Sequence, residues 1–172
     1  MSELLTIPYS EEIEALFFKA SQREFNILDS MFDTFNEALF NNELEYIEPG
    51  GIDNLDFKDR NGDYYPGTDK GTQKGEDDPF CYGLFEVVRG HQNIYINSDL
   101  FGRYDYNSLS WVATVLLHEM VHGYLYQHGH GADYEHGELF QREAIRRGLS
   151  PALMTERARK VFNNWFTTRG QE

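Results

Sequence analysis

Cysteine is nearly absent. Cys81 stands alone, which excludes an intramolecular disulfide and every four-cysteine zinc module, and fits a reducing, cytoplasmic location. Basic residues are also scarce: 15 Lys and Arg face 29 Asp and Glu, a net charge of −14 that opposes non-specific binding to nucleic acid or anionic membrane. No apolar run approaches the roughly 20 residues of a membrane-spanning helix. The start MSELLTIPYSEE is acidic and lacks the basic and long apolar regions of an export signal. Internal repeats are lacking too, so a solenoid is excluded. What is present is a chain of 172 residues, 40% hydrophobic and 15% aromatic, enough to build one core and to be read as a single domain over 1–172.

The charge is unevenly spread. Residues 1–139 carry a balance of −18, whereas residues 140–172 carry +4, so a basic C-terminal helix over 149–172 follows an acidic body. Ser10 with Glu11 and Glu12 reads as a helix start, a cap with acids matching the macrodipole. A second helical pattern runs from about Ser21 to Asn41, with Phe25, Leu28, Phe32, Phe35 and Leu39 on one face. Residues 49–79 are rich in Gly, Asp and Lys and read as a loop insertion with at most one short strand. Within it DRNGDY is a turn rather than a calcium loop, because Tyr64 and Lys70 occupy the glycine and glutamate positions.

YGLFEVV (82–88) and NIYINSDLF (93–101), joined by RGHQ, predict an antiparallel hairpin with His91 on its surface. SLSWVATVLLHEMVHGYLYQHG then predicts a strong helix capped by Ser108 and ended by Gly129 or Gly131. A further helix over 136–148 stops at Gly148. Ser150-Pro151 supplies a cap and first turn for a last helix to about Phe166, with Leu153, Val161, Phe162 and Trp165 on its apolar side. Helices, a small antiparallel sheet and more helices make an α+β class.

Five of the six histidines lie in HEMVHGYLYQHGHGADYEHG, residues 118–137. Positions four apart on a helix differ by about 40° around the axis. His118 and His122 can therefore reach one ion at about 2.0–2.1 Å from a shared face. Glu119 sits beside them, placed to contact a water on the ion and accept its proton, which accounts for residue types and spacing together. The apolar run WVATVLL just before the motif marks a buried helix and not a solvated His-Glu pair.

A catalytic zinc takes three protein ligands, and several residues offer the third. His128 lies where a metzincin places its histidine, but Leu125 replaces the glycine that turns the chain back. On a continuing helix His128 is rotated by about 240° from His122 and points away. His130 lies in a glycine-loosened link, HGHGAD, with nothing to fix its orientation. His136 opens the next helical segment and is favoured by an antiparallel return, with Glu135, Glu138 and Glu143 remaining open.

LLHEMVHGYLY followed by HGELF resembles the SprT-like, or Spartan-type, metalloprotease domain, which reads HExxH, a variable loop, then His-Gly-x-x-Phe. FDTFNEALFNNEL (32–44) is similar to that family's first helix, and YGLFEVVRGHQNIYINSDLF to the hairpin before its metal helix. The resemblance covers about residues 25–148. It implies a zincin-like fold and a Zn²⁺-dependent peptidase acting on protein or peptide, with His118, His122 and His136 as ligands and Glu119 as general base. It also implies action near DNA. Against that, Cys81 alone leaves no zinc ribbon and the body is acidic. The proton donor is open among Tyr124, Tyr126 and Tyr134.

Two other readings compete. A peptide deformylase would take an upstream cysteine, Cys81, as a ligand, although PFCYGLF does not match the Glu-Gly-Cys-Leu stretch of those enzymes. A non-catalytic binding module would keep the metal for structure and dock a partner on its basic end.

Overall fold

The computed structural model describes residues 11–71, 80–130 and 136–170, with side chains described from residue 22 to 169 of these. Four helices, α1 (Glu11–Leu39), α2 (Tyr106–Leu125), α3 (Glu138–Arg146) and α4 (Glu156–Trp165), accompany a sheet of β1 (Glu48–Ile52), β2 (Asp69–Gly71), β3 (Phe80–Val88) and β4 (His91–Asn97). The α+β class holds. The sheet, expected to be antiparallel, is mixed: in the order β1-β4-β3-β2, β1 runs parallel to β4 and the other pairs are antiparallel.

Helix α1 is continuous over 29 residues, not two helices, because no Gly or Pro between Glu11 and Leu39 interrupts it. Leu28, Met31, Phe32, Phe35 and Leu39 are buried along it, while Phe25 is only half-buried. The Ser10 cap lies outside the described residues.

The expected hairpin forms with a two-residue turn at Arg89 and Gly90, both at positive φ (52° and 80°). That is the backbone hand that matches strand twist. His91 is exposed beside Glu48. Residues 98–101 leave the strand as a single 3-10 turn.

The 49–79 insertion holds more order than a loop. It contributes both edge strands and a 3-10 turn at Asn54–Phe57. Edge positions explain why EPGGI and DKG pair at all: Pro49 lacks an N–H that only an edge can spare, and three residues suffice there. DRNGDY is a turn, as expected, with the Asp59 carboxylate accepting from the N–H groups of Asn61 and Asp63. Residues 72–79 lie outside the described set.

One face of the sheet carries α1 and α2. Phe85, Ile94 and Ile96 there join Leu28, Phe32, Phe35, Leu109, Val112, Leu116 and Met120 in the main core. Phe57, Cys81 and Leu84 form a smaller cluster with Ile52, Tyr64 and Tyr95. Asp69 pairs with Gly83 and Lys70 with Cys81, so Tyr82 is the extra residue of a bulge. A bulge re-aims side chains, and here it sits against the α2 histidines.

Helix ends differ from expectation where a better partner exists. Helix α2 is capped by Asp105, whose carboxylate accepts from the Ser108 N–H, so Ser108 lies inside the first turn. The helix ends through one π turn over Tyr126–His130 in which Gly129 takes φ 84°. Ser150-Pro151 does not start α4. Leu149 pairs with Met154 across that stretch, and Thr155 caps the helix from Ala158 N–H. Leu153 is consequently exposed, while Phe162 and Trp165 are buried. Three contacts tie the C-terminal helices to the body. Arg147 donates to the Leu39 carbonyl at the α1 C-terminus, Trp165 Nε1 to Ser30 Oγ, and Tyr106 to Asn163 Oδ1. No described helix is long and apolar enough to cross a membrane.

Candidate metal centre

Helix α2 is apolar on nearly every side before the motif: Leu109, Val112, Ala113, Val115, Leu116 and Leu117 are all buried. Burial on both sides fixes its rotation, so His118 and His122 emerge from one face with ring centroids 5.1 Å apart. His136 comes from the other direction, just before α3, whose N-cap is Gly137. Its Nε2 lies 3.0 Å from His118 Nε2 and 3.2 Å from His122 Nε2. The sequence expectation of His118, His122 and His136 as one group is thus what the chain assembles.

Phe140, one turn into α3, explains the Phe of HGELF. Its buried ring lies 4.8, 4.4 and 4.9 Å from the rings of His118, His122 and His136. One aromatic plate therefore limits the motion of all three imidazoles. Gln141 donates to the His136 carbonyl and fixes the turn into the helix.

A fourth group completes the cluster. Asp69 of β2 places Oδ2 3.2 Å from His118 Nε2 and 3.9 Å from His122 Nε2, and Oδ1 3.0 Å from His136 Nε2. The ligand atoms of Asp69, His118, His122 and His136 all lie within 4.8 Å of one another. Bonds of about 2.0–2.1 Å to a tetrahedral ion put neighbouring donors about 3.3–3.4 Å apart. Spacings of 3.0, 3.2, 3.2 and 3.0 Å come close to that donor set, with the Asp69 contacts divided between its two oxygens and the one to His122 wider at 3.9 Å. Three imidazole nitrogens and a carboxylate are borderline and hard donors together, the combination that suits a divalent cation such as zinc.

Glu119 lies fully buried between α2 and β3. Neither carboxylate oxygen makes a hydrogen bond of good geometry, although the Phe85 amide and the Asp69 carboxyl are close enough to act on it electrostatically. Burial first, and then the Asp69 charge, push its pKa well above the ordinary carboxylate range. Asp69 moves the opposite way. Burial alone would raise it, but the neighbouring Glu119 carboxyl and the contacts from His118 and His136 hold it well below the usual range. A cation among the imidazoles would favour the charged form of both carboxyls, since a bound positive charge is the largest local field.

The approach of Glu119 to the sheet depends on Gly83. A Cβ there would stand 3.0 Å from Glu119 Oε2 and 2.8 Å from Val115 Cγ1. Next to the cluster a cavity of about 300 Å³ opens between α2, the Tyr82 bulge and the Leu149–Ala152 stretch, with Asp69, His118 and Glu119 in its wall.

The other candidates lie elsewhere. His128 Nδ1 contacts the Tyr124 carbonyl at 2.8 Å and its ring stacks on Tyr124, so it turns away from the cluster. His130 is exposed beyond Gly129. Glu138 pairs with Arg142, and Glu143 with Arg147. Tyr124 packs on Phe40 and Arg147, and Tyr126 on Phe85. Cys81 sits in the second apolar cluster, with its backbone bonded to Asn54 and Asn97. Glu135 and Tyr134 fall outside the described residues.

Asp69 is the residue that sequence reasoning missed. It lies 49 positions before His118 in a segment without periodicity, and no spacing rule links it to the motif. No protein-family model, curated protein or solved structure matches the chain.

Proposed function

We propose that this chain is a zinc-dependent peptidase of SprT-like type, holding its ion with His118, His122 and His136 and using Glu119 as general base. The observation that carries the reading is Glu119 itself. A fully buried carboxylate with no good hydrogen bond costs stability, of the order of 1–3 kcal/mol or more, and it shares a cavity wall with His118 and with Asp69, which contacts all three imidazoles. A site kept only for structure gains nothing from it. When bound, zinc supplies Lewis acidity toward a peptide carbonyl and makes water acidic near neutral pH. Glu119 takes the proton of the attacking water and delivers it to the leaving amine. Phe140 and Gln141 hold His136 in place through both steps. The substrate is a protein or peptide segment. With a net charge of −14, action on DNA-associated proteins is the less favoured version. The lone Cys81 thiol fits a cytoplasmic setting.

Asp69 favours a second reading. Structural zinc sites are closed by four protein ligands, whereas catalytic ones keep a position open. With Asp69 seated, the cluster has four. In the peptidase reading Asp69 must yield its place to substrate, and β2, a three-residue edge strand, is a weak anchor. Metal content and hydrolysis of a fluorogenic protein substrate separate the two. As a peptidase, His136→Ala loses zinc, Glu119→Gln keeps zinc and loses about 10²–10⁴ in rate, and Asp69→Asn keeps zinc and gains rate. As a structural site, no variant hydrolyses and Asp69→Asn loses zinc. A deformylase-type site requires zinc loss in Cys81→Ser; the peptidase reading expects none.

A further inference from the structure

We propose that the cavity beside Glu119 is a subsite for a bulky apolar side chain, such as Phe, Leu or Met, of the bound peptide. This rests on the peptidase reading above and adds the substrate class.

Trp111, Thr114, Val115 and His118 all line the cavity, and their spacing of three, one and three residues keeps them on one face of α2. At about 1.5 Å per residue, Thr114 and Val115 lie about one turn from His118 and Trp111 about two. That is the reach of a side chain on a residue flanking a bond held at the histidines, since extended peptide advances about 3.3 Å per residue. The opposite walls are Tyr82, placed by the β3 bulge, and Leu149 and Ala152 from the stretch before α4. Gly71 makes room for the Tyr82 ring, because a Cβ there would meet it at 2.4–2.8 Å.

Among the described residues, no lysine or arginine lines the cavity. Of its carboxylates, Asp69 faces the imidazole cluster and Glu119 lies beside Asp69, so an acidic side chain gains no opposite charge from either. Asp69 is engaged by the three histidines, which leaves little for a basic one. The walls that remain are indole, phenol ring and aliphatic carbon. Trp111 is 53% exposed, an apolar surface near the buried Val112 and Val115 of the same helix. A volume of about 300 Å³ lies at the lower end of ligand sites and suits one large side chain rather than a cofactor.

The test is calorimetric titration of the zinc-loaded full chain, wild type and Asp69→Asn, with N-acetyl hydroxamates of glycine, phenylalanine and lysine. Running Asp69→Asn in parallel prevents a closed ion from masking the cavity. Glycine hydroxamate reports the ion alone, and the ratio to phenylalanine reports the cavity. The expected result is at least tenfold tighter binding of the phenylalanine compound, with lysine no better than glycine. Ala152→Trp, which fills the cavity from an exposed position, should bring the ratio to about two or less; Trp111→Ala should lower the ratio too. Equal binding of glycine and phenylalanine, or tightest binding of lysine, overturns the subsite while leaving the peptidase reading standing. Failure of every hydroxamate to bind either protein overturns both.

Discussion

Gly83→Ala tests a close contact between β3 and α2 beside the histidine cluster. Gly83 sits in β3 facing α2, and an added Cβ would lie 2.8 Å from Val115 Cγ1, 3.0 Å from Glu119 Oε2 and 3.1 Å from the Tyr95 carbonyl oxygen. Val115 and Glu119 are buried, and Tyr95 lies on β4, held by its pairing with Leu84. None of the three can swing into solvent. Two effects oppose each other. Alanine removes the entropy disadvantage of a strand glycine, a gain of about 0.5–1 kcal/mol. Overpacking costs about 1–3 kcal/mol, so the net loss is about 0–2.5 kcal/mol. At about 2–4 °C per kcal/mol for a chain of this size, Tm falls by up to about 10 °C. Gly50→Ala is the control, since its Cβ would meet only Tyr95 Cδ1 at 3.9 Å. It should be neutral or stabilise by up to about 1 kcal/mol. Scanning calorimetry of both variants without metal isolates packing from ion binding. Gly83→Ala melting above wild type, as the uncrowded Gly50→Ala is free to do, would refute the close packing of α2 on β3. Because one collision is with Glu119, the proposed peptidase role predicts that hydrolysis falls further in this variant than zinc content does.

Glu143 and Arg147 form a buried pair at 2.8 Å, and Arg147 also reaches the Leu39 carbonyl. Glu143→Ala strands that cation and should cost about 3–5 kcal/mol in urea denaturation; a loss below 1 kcal/mol would show the pair to be dispensable. Adding zinc to metal-stripped protein should raise stability by about 4 kcal/mol at a thousandfold excess over Kd. His136→Ala should abolish most of that rise, and His128→Ala, stacked on Tyr124, should leave it intact. Burial, then Asp53 and Asp99, against a Ser98 hydrogen bond, raise the Glu24 pKa above 4.5. A raised carboxyl favours the fold below its unfolded pKa, and that advantage is lost as pH rises through the folded value. Glu24→Gln should therefore gain stability over wild type between pH 4 and 7, with the difference vanishing toward pH 3; a difference independent of pH would count against the assignment.

What could be read from sequence alone follows from where the signals are local. Helix α2 and its histidine pair were legible because WVATVLL and HExxH carry their own periodicity. The hairpin was legible because its turn residues, Arg89 and Gly90, adopt the backbone that such a turn needs. His136 was legible only together with Phe140, whose ring orders all three imidazoles. Edge strands carry no such signal. EPGGI and DKG are strands because β4 and β3 offer them free hydrogen-bonding edges, not because of their own propensity. The same holds for the start of α4, where the Leu149–Met154 pairing overrides a capping sequence at Ser150-Pro151.

Asp69 belongs to that illegible class, and this has a chemical consequence. HExxH and the returning histidine specify a group that can hold an ion, but they do not specify whether the fourth position is open. That is decided by a carboxylate on a three-residue edge strand, held chiefly by its pairing with β3 and by the imidazoles it faces. Glu119, buried and poorly bonded, argues for chemistry at the ion, while Asp69, seated among the three histidines, argues for closure. The two carboxyls act on each other's charge and share one cavity wall, so a change that frees one alters the other. Asp69→Asn is therefore the decisive substitution: it removes a charge from beside Glu119 and weakens the fourth ligand at the same time. If the site is catalytic, both changes act toward faster hydrolysis.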